Sequence, residues 1–394
     1  MKHFFESIHD ATSEYVLVGC YETMNDRFMS MRKVEMTSLA DQLFLDYKKS
    51  MRKDQIASKL EDHFTKDLVR QELSELSDHA FALLKKLVNN SVAALDLFES
   101  HCLSYLADAG YVSYIQSYHN YYTDHQTLEL VKEVISEEGF EVYRHKKAFL
   151  KSTINYFDFM YMEAAEPILL GIMNEREKKN DKMSYEEVRH LVEELDPIMV
   201  YNGKGKYISI AGMRSGSRDF LKEILLVKDL TYPDLDFLED YMNYDLPIHD
   251  ENFQALIGYL IFEAHEEPLY AYDKARMVFY MSMCDENPQK IIDEVMREIS
   301  TVHADKIFAL VMGCFEYAPH RCLGGATQSS FLEESLEKEG GYRLPKTKEV
   351  TKMIESSRAQ LEASGLTVIE EEDSYFIQFP AEDRPDLEPT ELLN

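Results

Sequence analysis

The chain has 394 residues, 45% of them hydrophobic and 12% aromatic, which supplies two or three packed cores and is too apolar for a disordered protein. Seventy-two Asp and Glu against 42 Lys and Arg give a formal net charge of -30, the wrong sign for a protein that wraps duplex nucleic acid over its whole surface. Apolar stretches such as Ala255 to Phe262 and Ile307 to Cys314 fall far short of the roughly 20 residues that cross a bilayer, and Met1 to Glu6 does not open into a signal-peptide core.

Five cysteines, Cys20, Cys102, Cys284, Cys314 and Cys322, are too sparse and odd in number for a disulfide framework. A soluble, cytoplasmic protein with reduced, mostly buried thiols and no membrane partner is expected. The fold class expected is mainly α (α+β): a multi-helical body with short β-hairpins and one or two winged-helix-like modules.

In chain order, Ser13 to Glu22 reads as one short strand. Ser38 to Tyr47 and Lys53 to Asp62 have the helical period, and Lys66 to Leu76 follows with Thr65 as its N-cap. Ile56, Leu60, Phe64, Leu68 and Leu73 outline a helix-turn-helix. Its second helix carries Glu72 and Glu75 beside Lys66 and Arg70, a poor face for phosphates. Phe81 to Gln126 continues as helix. Within it Tyr111, Tyr114, Tyr118 and Tyr121 recur at spacings of three, four and three, one stripe on a helix. Such a stripe is a packing face or a protein-binding face, because tyrosine joins apolar area to a polar tip. Glu129 to Met173 reads as two helices that meet near Gly139.

The apolar-free run Glu175 to Lys182 marks a boundary. Ser184 and Glu187 match a capping box for a helix that ends at Leu195, before Pro197. Ile198 to Tyr201 and Tyr207 to Ile210 then flank Asn202-Gly203-Lys204-Gly205, a strong hairpin signal. A helix followed by a hairpin is the closing half of a winged helix, with Lys204 and Lys206 at the wing tip. Between Asn202 and Arg218 lie four cations, no acid and four glycines. Ser217 is placed to cap the next helix, and Arg214 and Arg218 flank its free amides, an arrangement that suits a phosphate or carboxylate. Lys204, Lys206, Arg214, Ser217 and Arg218 are therefore the candidate anion- or partner-binding residues.

Helices resume from Tyr232. Residues 231–300 carry 16 acidic and 4 basic side chains. Lys346 to Ser364 is a helix closed by Gly365, followed by a second hairpin, Leu366 to Ile369 and Tyr375 to Phe379, whose tip is acidic. The tail from Pro380 holds three prolines and five acids and reads as extended or disordered. The expected division is 1–174, a helical domain with the helix-turn-helix-like segment; 183–230, a winged-helix-like module with the basic hairpin; 231–318, an acidic helical region; 319–379, a C-terminal helix plus hairpin; and 380–394, a tail.

No motif commits the chain to catalysis, a cofactor or a metal. His303, Cys314, His320 and Cys322 are the best metal candidates, but their spacing fits no common zinc module. Arg321 beside Cys322 would favour a thiolate, with no base in view. His119 to His125 and Glu263 to Glu267 mix acids and bases without an H-E-x-x-H pattern, and Asp234 to Asp240 lacks the glycine of a calcium loop. The expectation is a non-catalytic interaction protein, a winged-helix-like subunit of a larger assembly with protein partners. Three alternatives stand beside it: a DNA-associated regulator that touches nucleic acid locally through the basic hairpin, an acidic nucleic-acid mimic that inhibits a basic partner, and a metal-assisted hydrolase at the His303 to Cys322 region.

Overall fold

The computed structural model describes residues 16–89, 95, 97–115, 120–157, 160–161, 169–174, 182–195, 198–202, 205–209, 235–284, 286–297, 299, 304–320 and 325–380. Across these residues the architecture is mainly α with three small sheets, in line with the mainly α (α+β) class the sequence implies. Among the described residues no helix is long and apolar enough to cross a membrane.

The first part opens with β1 (Val16–Tyr21) and six helices: α1 (Met24–Ser30), α2 (Lys33–Gln42), α3 (Lys53–His63), α4 (Lys66–Leu73), α5 (Asp78–Val88) and α6 (Leu97–Asp108). A hairpin of β2 (Ser113–Ile115) and β3 (Asn120–Asp124) follows, then α7 (His125–Ile135). The sheet order is β1-β3-β2, with β1 parallel and β2 antiparallel to β3. Phe28, Ile56, Leu60, Val69, Leu73 and Val131 sit at its apolar centre. Thr65 caps α4 by accepting from the Leu68 amide at 3.3 Å, as its position predicts.

A structural clamp ties these elements together. Arg27 of α1 donates through Nε to Asp124 Oδ2 (2.6 Å), through Nη1 to Ser113 Oγ (2.6 Å), and through Nη2 to the Gly110 carbonyl (2.8 Å). Asp124 in turn caps α7, accepting from the Thr127 amide at 2.6 Å. Burial lowers the Arg27 pKa, and the adjacent Asp124 opposes that shift.

Two expectations fail here. The helix placed at Ser38 to Tyr47 begins earlier, at Lys33, because the Arg32 amide donates to Glu35 Oε2 at 2.7 Å and sets the first turn. It also ends earlier, at Phe44, which adopts φ +52. Phe44 N donates to Asp41 O (3.1 Å) and Leu45 N to Ala40 O (2.9 Å), the paired bonds of a Schellman stop. The tyrosine stripe is not helical either. Gly110, at φ +78, turns the chain out of α6, and Tyr114 and Tyr121 enter β2 and β3, where aromatic residues pack well on a pleated surface.

Beyond α7 the chain forms α8 (Phe140–Phe157), β4 (Met160–Tyr161), helical residues 169–174, α9 (Tyr185–Glu194), β5 (Ile198–Asn202) and β6 (Gly205–Ser209). The capping box of α9 is present: the Ser184 amide donates to Glu187 Oε2 at 2.7 Å, and the Glu187 amide returns to Ser184 Oγ at 3.3 Å. Strands β5 and β6 pair from Ile198↔Ser209 to Asn202↔Gly205, so Asn202 ends the ladder and a two-residue connection, 203–204, closes the hairpin. Strand β4 adds on the other side of β6, giving β4-β6-β5.

Five helices follow: α10 (Leu235–Tyr244), α11 (Glu251–Phe262), α12 (Pro268–Met283), α13 (Pro288–Met296) and α14 (Ala304–Tyr317). They share one apolar cluster with α6, α8 and α9, running from Leu97 to Ala318 and so taking residues from both sides of the boundaries expected near 174 and 231.

The last unit is α15 (Gln328–Glu339), β7 (Gly341–Pro345), α16 (Lys348–Ala363), β8 (Thr367–Glu370) and β9 (Ser374–Gln378), with sheet order β7-β9-β8. Gly365 closes α16 at φ +87, as predicted. Gly341 faces Gln378 in the ladder, so close that a Cβ there would lie 2.3 Å from the Ile377 carbonyl oxygen. Ile354, Val368 and Ile377 make this unit's own small core.

Candidate functional site

The candidate residues from the sequence divide sharply. For the basic segment, the β5–β6 ladder brings the backbone of Lys206 opposite Tyr201, one pair from the hairpin end. Lys204, Arg214, Ser217 and Arg218 lie outside the described residues. Of the tyrosines, Tyr111 is buried in the first core, where its hydroxyl donates to Glu72 Oε2 at 2.6 Å. Tyr114 and Tyr121 face each other across β2 and β3 with ring centroids 5.0 Å apart, and Tyr114 is exposed. Tyr118 falls outside the described residues. The three described tyrosines do not form one face.

The helix-turn-helix cations are committed elsewhere. Lys66 reaches Glu133 at 2.7 Å, and both Lys66 and Arg70 engage Glu137 of the segment after α7 at 3.2 and 3.1 Å. His320 is buried with Nε2 3.0 Å from the Phe315 carbonyl, and burial pushes the Cys314 thiol pKa far up. His303 and Cys322 are outside the described residues; among those described, no group of three His, Cys, Asp or Glu is placed to hold a metal ion.

Two features were missed. The first is a cationic surface. Ser30-Met31-Arg32-Lys33 and Ser50-Met51-Arg52-Lys53 repeat the same four residues at the starts of α2 and α3. Each arginine is the N-cap of its helix; the Arg52 amide donates to Gln55 Oε1 at 2.9 Å, as Arg32 does to Glu35. The lysines cross-brace the turns: Lys33 Nζ donates to the Lys49 carbonyl (3.2 Å) and Lys53 Nζ to the Met29 carbonyl (2.5 Å). Lys48 and Lys49 are exposed beside them. Arg32 and Arg52 have side chains 62% and 76% exposed and, among the described residues, pair with the local acids Glu35 and Asp54, which leaves them accessible to a partner. From Tyr47 to Lys53 there are four cations and no acid, denser than the basic hairpin. The repeat was the signal available in the sequence.

The second is a cleft of about 310 Å³ between the α4–α5 turn, α6, α8 and the end of α10. At one end Lys151 Nζ donates to Glu75 Oε2 at 2.7 Å. At the other, Arg276 Nη2 of α12 donates to Asp245 Oδ2 (2.7 Å) and to the Tyr105 hydroxyl (2.9 Å), while Tyr105 donates to Asp245. Burial works against the Asp245 carboxylate, but His101, Arg276 and Tyr105 outweigh it and hold its pKa below the usual range. His101 of α6 is buried between Asp245 and Asp273, 3.8 Å and 3.6 Å away. These residues come from elements far apart in sequence, so no spacing pattern exposes them.

A second cavity, about 460 Å³, is lined by acids including Asp236, Glu239 and Asp240 with His249. Asp240 lies 2.8 Å from His249 Nδ1, and Asp250 caps α11 through the Asn252 amide at 2.9 Å, so these two have structural partners.

Compared with models of protein families, with curated proteins and with solved structures, the chain matches none.

Proposed function

We propose that this chain is a non-catalytic interaction protein, a winged-helix-like subunit of a larger cytoplasmic assembly that docks acidic protein partners through its few cationic surfaces. One observation carries the reading. In both β4-β6-β5 and β7-β9-β8 the first strand pairs with the last, helix lies between the first and second strands, and a hairpin closes the unit. That strand order, with the first strand antiparallel to the last, resembles a winged helix and supports reading each hairpin as a wing. Two such units on a body of net charge -30 suit docking on protein better than wrapping nucleic acid, because uncompensated carboxylates repel phosphates.

The docking residues in this reading are Lys48, Lys49, Arg32 and Arg52 on the twin turns and Lys204, Lys206, Arg214, Ser217 and Arg218 at and after the basic hairpin. Contact with nucleic acid, if any, is local to that hairpin. Reversing Lys48, Lys49 and Arg52 to Glu in one variant, and Lys204, Lys206, Arg214 and Arg218 to Glu in a second, tests it. Purification from the native host with mass spectrometry should show loss of at least one partner in one variant, with melting temperatures unchanged. Retention of every partner by both variants would sink the reading. A duplex shift that falls steeply with salt would replace it with the DNA-associated one.

A further inference from the structure

We infer that Ser50 is a phosphorylation site for a protein kinase with an acidic substrate groove, and that the phosphate switches the twin-turn surface off. The switching rests on the docking role proposed above; the modification itself does not.

The two copies of Ser-Met-Arg-Lys differ in their serines. Ser30 is partly buried, and its Oγ donates to the Arg27 carbonyl at 2.6 Å. Ser50 is exposed, and among the described residues its hydroxyl has no hydrogen-bond partner. Modifying Ser30 would break a bond of the fold, whereas modifying Ser50 breaks none. Ser50 also stands at a corner of a tight turn. The Met51 amide donates to the Lys48 carbonyl at 2.8 Å, which puts Lys49 and Ser50 at the two central positions. Residues 45–48 before it belong to no helix or strand. A kinase can therefore take up the hydroxyl and its approach segment without unwinding an element.

The charges around Ser50 set both the kinase class and the consequence. Lys48, Lys49, Arg52 and Lys53 flank it, and Lys33 Nζ reaches the Lys49 carbonyl at 3.2 Å. Against these five cations stand Asp46 and Asp54, the latter 3.1 Å from Arg52. Arg32 and Glu35 pair with each other, and Asp41, toward the far end of α2, accepts from the Tyr47 hydroxyl. Five cations and two acids leave three positive charges. An acidic groove selects such a segment by complementarity. In the transfer, Ser50 Oγ bonds to the terminal phosphorus of a nucleoside triphosphate as the bond to the bridging oxygen breaks. The nucleoside diphosphate leaves, and the serine proton passes to the kinase's base. The product adds about −1.5 to −2 charges at pH 7, at least half of the local positive excess. Lys33 and Lys53 each spend one donor on a carbonyl and keep two for the phosphate oxygens. Ser50 also lies two residues before Arg52, the N-cap of α3, where the helix dipole favours negative charge. A carboxylate partner then meets a phosphate where it would have met ammonium groups.

The test begins with the full chain, ATP and a purified serine kinase selective for basic segments. Mass spectrometry should place phosphate on Ser50 and none on Ser30, and Ser50→Ala should remove it. Chain purified from its native host should carry phosphate at the same residue. Fluorescence anisotropy with a labelled deca-glutamate peptide then compares the two forms. Salt of about 0.1 M screens the distant acids, because the Debye length is then about 10 Å. The phosphorylated chain should bind the peptide about tenfold more weakly than the unmodified chain. Kinase-treated Ser50→Ala should bind as the unmodified chain does. Absence of phosphate from Ser50 in either preparation, or equal modification of Ser30, overturns the site. Equal peptide binding by the two forms overturns the switch and leaves the docking role standing. Binding by neither form removes the docking role and the switch with it, while phosphate found on Ser50 upholds the site.

Discussion

Arg27 and Asp124 form an ion pair of 2.6 Å from which water is fully excluded, both side chains being 0% exposed. The guanidinium also holds Ser113 and the Gly110 carbonyl, so one side chain on α1 fixes the turn after α6 and the hairpin that follows. Breaking such a pair strands a buried charge. Arg27→Met should cost about 3–5 kcal/mol in urea unfolding, and Arg27→Met combined with Asp124→Asn should recover part of that loss. A single variant less than about 1 kcal/mol down would show that the clamp is dispensable.

Phe44 is the opposite case. It occupies the left-handed stop of α2, where glycine is usual, and its side chain is 95% exposed. Nothing packs against it that a truncation would lose. Phe44→Gly should therefore stabilise the fold by about 1 kcal/mol, a melting-point rise of about 2–4 °C. A drop would mean that the ring has a folded-state contact.

Asp78 sets an acid limit. Burial alone would raise its pKa, but His145, with Nδ1 2.9 Å away, and Arg144 outweigh that and depress it strongly. A depressed carboxylate stabilises the fold above its unfolded value near 3.9 and loses that contribution as pH falls toward the folded value. The melting-temperature gap between the wild type and Asp78→Asn should be wide at about pH 5.5 and close steadily below about pH 4. A gap independent of pH would contradict the assignment.

Gly341 has no room for a side chain, because the obstruction 2.3 Å from a Cβ is backbone. Gly341→Ala should destabilise the α15–β9 unit by about 2 kcal/mol or more, seen as faster limited proteolysis within residues 328–378 while the first core keeps its protection. Uniform loss across the chain would mean that the unit does not open separately.

What the sequence revealed followed the range of the interaction. Thr65, the Ser184 and Glu187 box and Gly365 act within a few residues, and each is found where it was expected; the hairpin expected around Asn202 to Gly205 also forms, with its strands reaching Asn202 and Gly205 themselves. The tyrosine spacing misled because a helical period carries no weight once Gly110 has ended the helix; Tyr114 and Tyr121 then pair across strands. Phe44 ends α2 against its own propensity, held by backbone bonds that no composition rule encodes. The cleft needs His101, Asp245 and Arg276 together, a juxtaposition made only by packing α6 against α10 and α12. The twin turns were in plain view, since two copies of one tetrapeptide lie twenty residues apart.

The three strand orders, β1-β3-β2, β4-β6-β5 and β7-β9-β8, have a consequence for biosynthesis. In each sheet the strand made last takes the middle position. While the ribosome is working, the two earlier strands have nothing to join, and their backbone groups stay open to water or to a neighbouring chain. Each sheet then forms in one step when its final strand emerges, over loops long enough to slow closure. A nascent chain halted before Ser374 should hold α15 and α16 but no sheet at that end, the stage at which the protein most needs a chaperone.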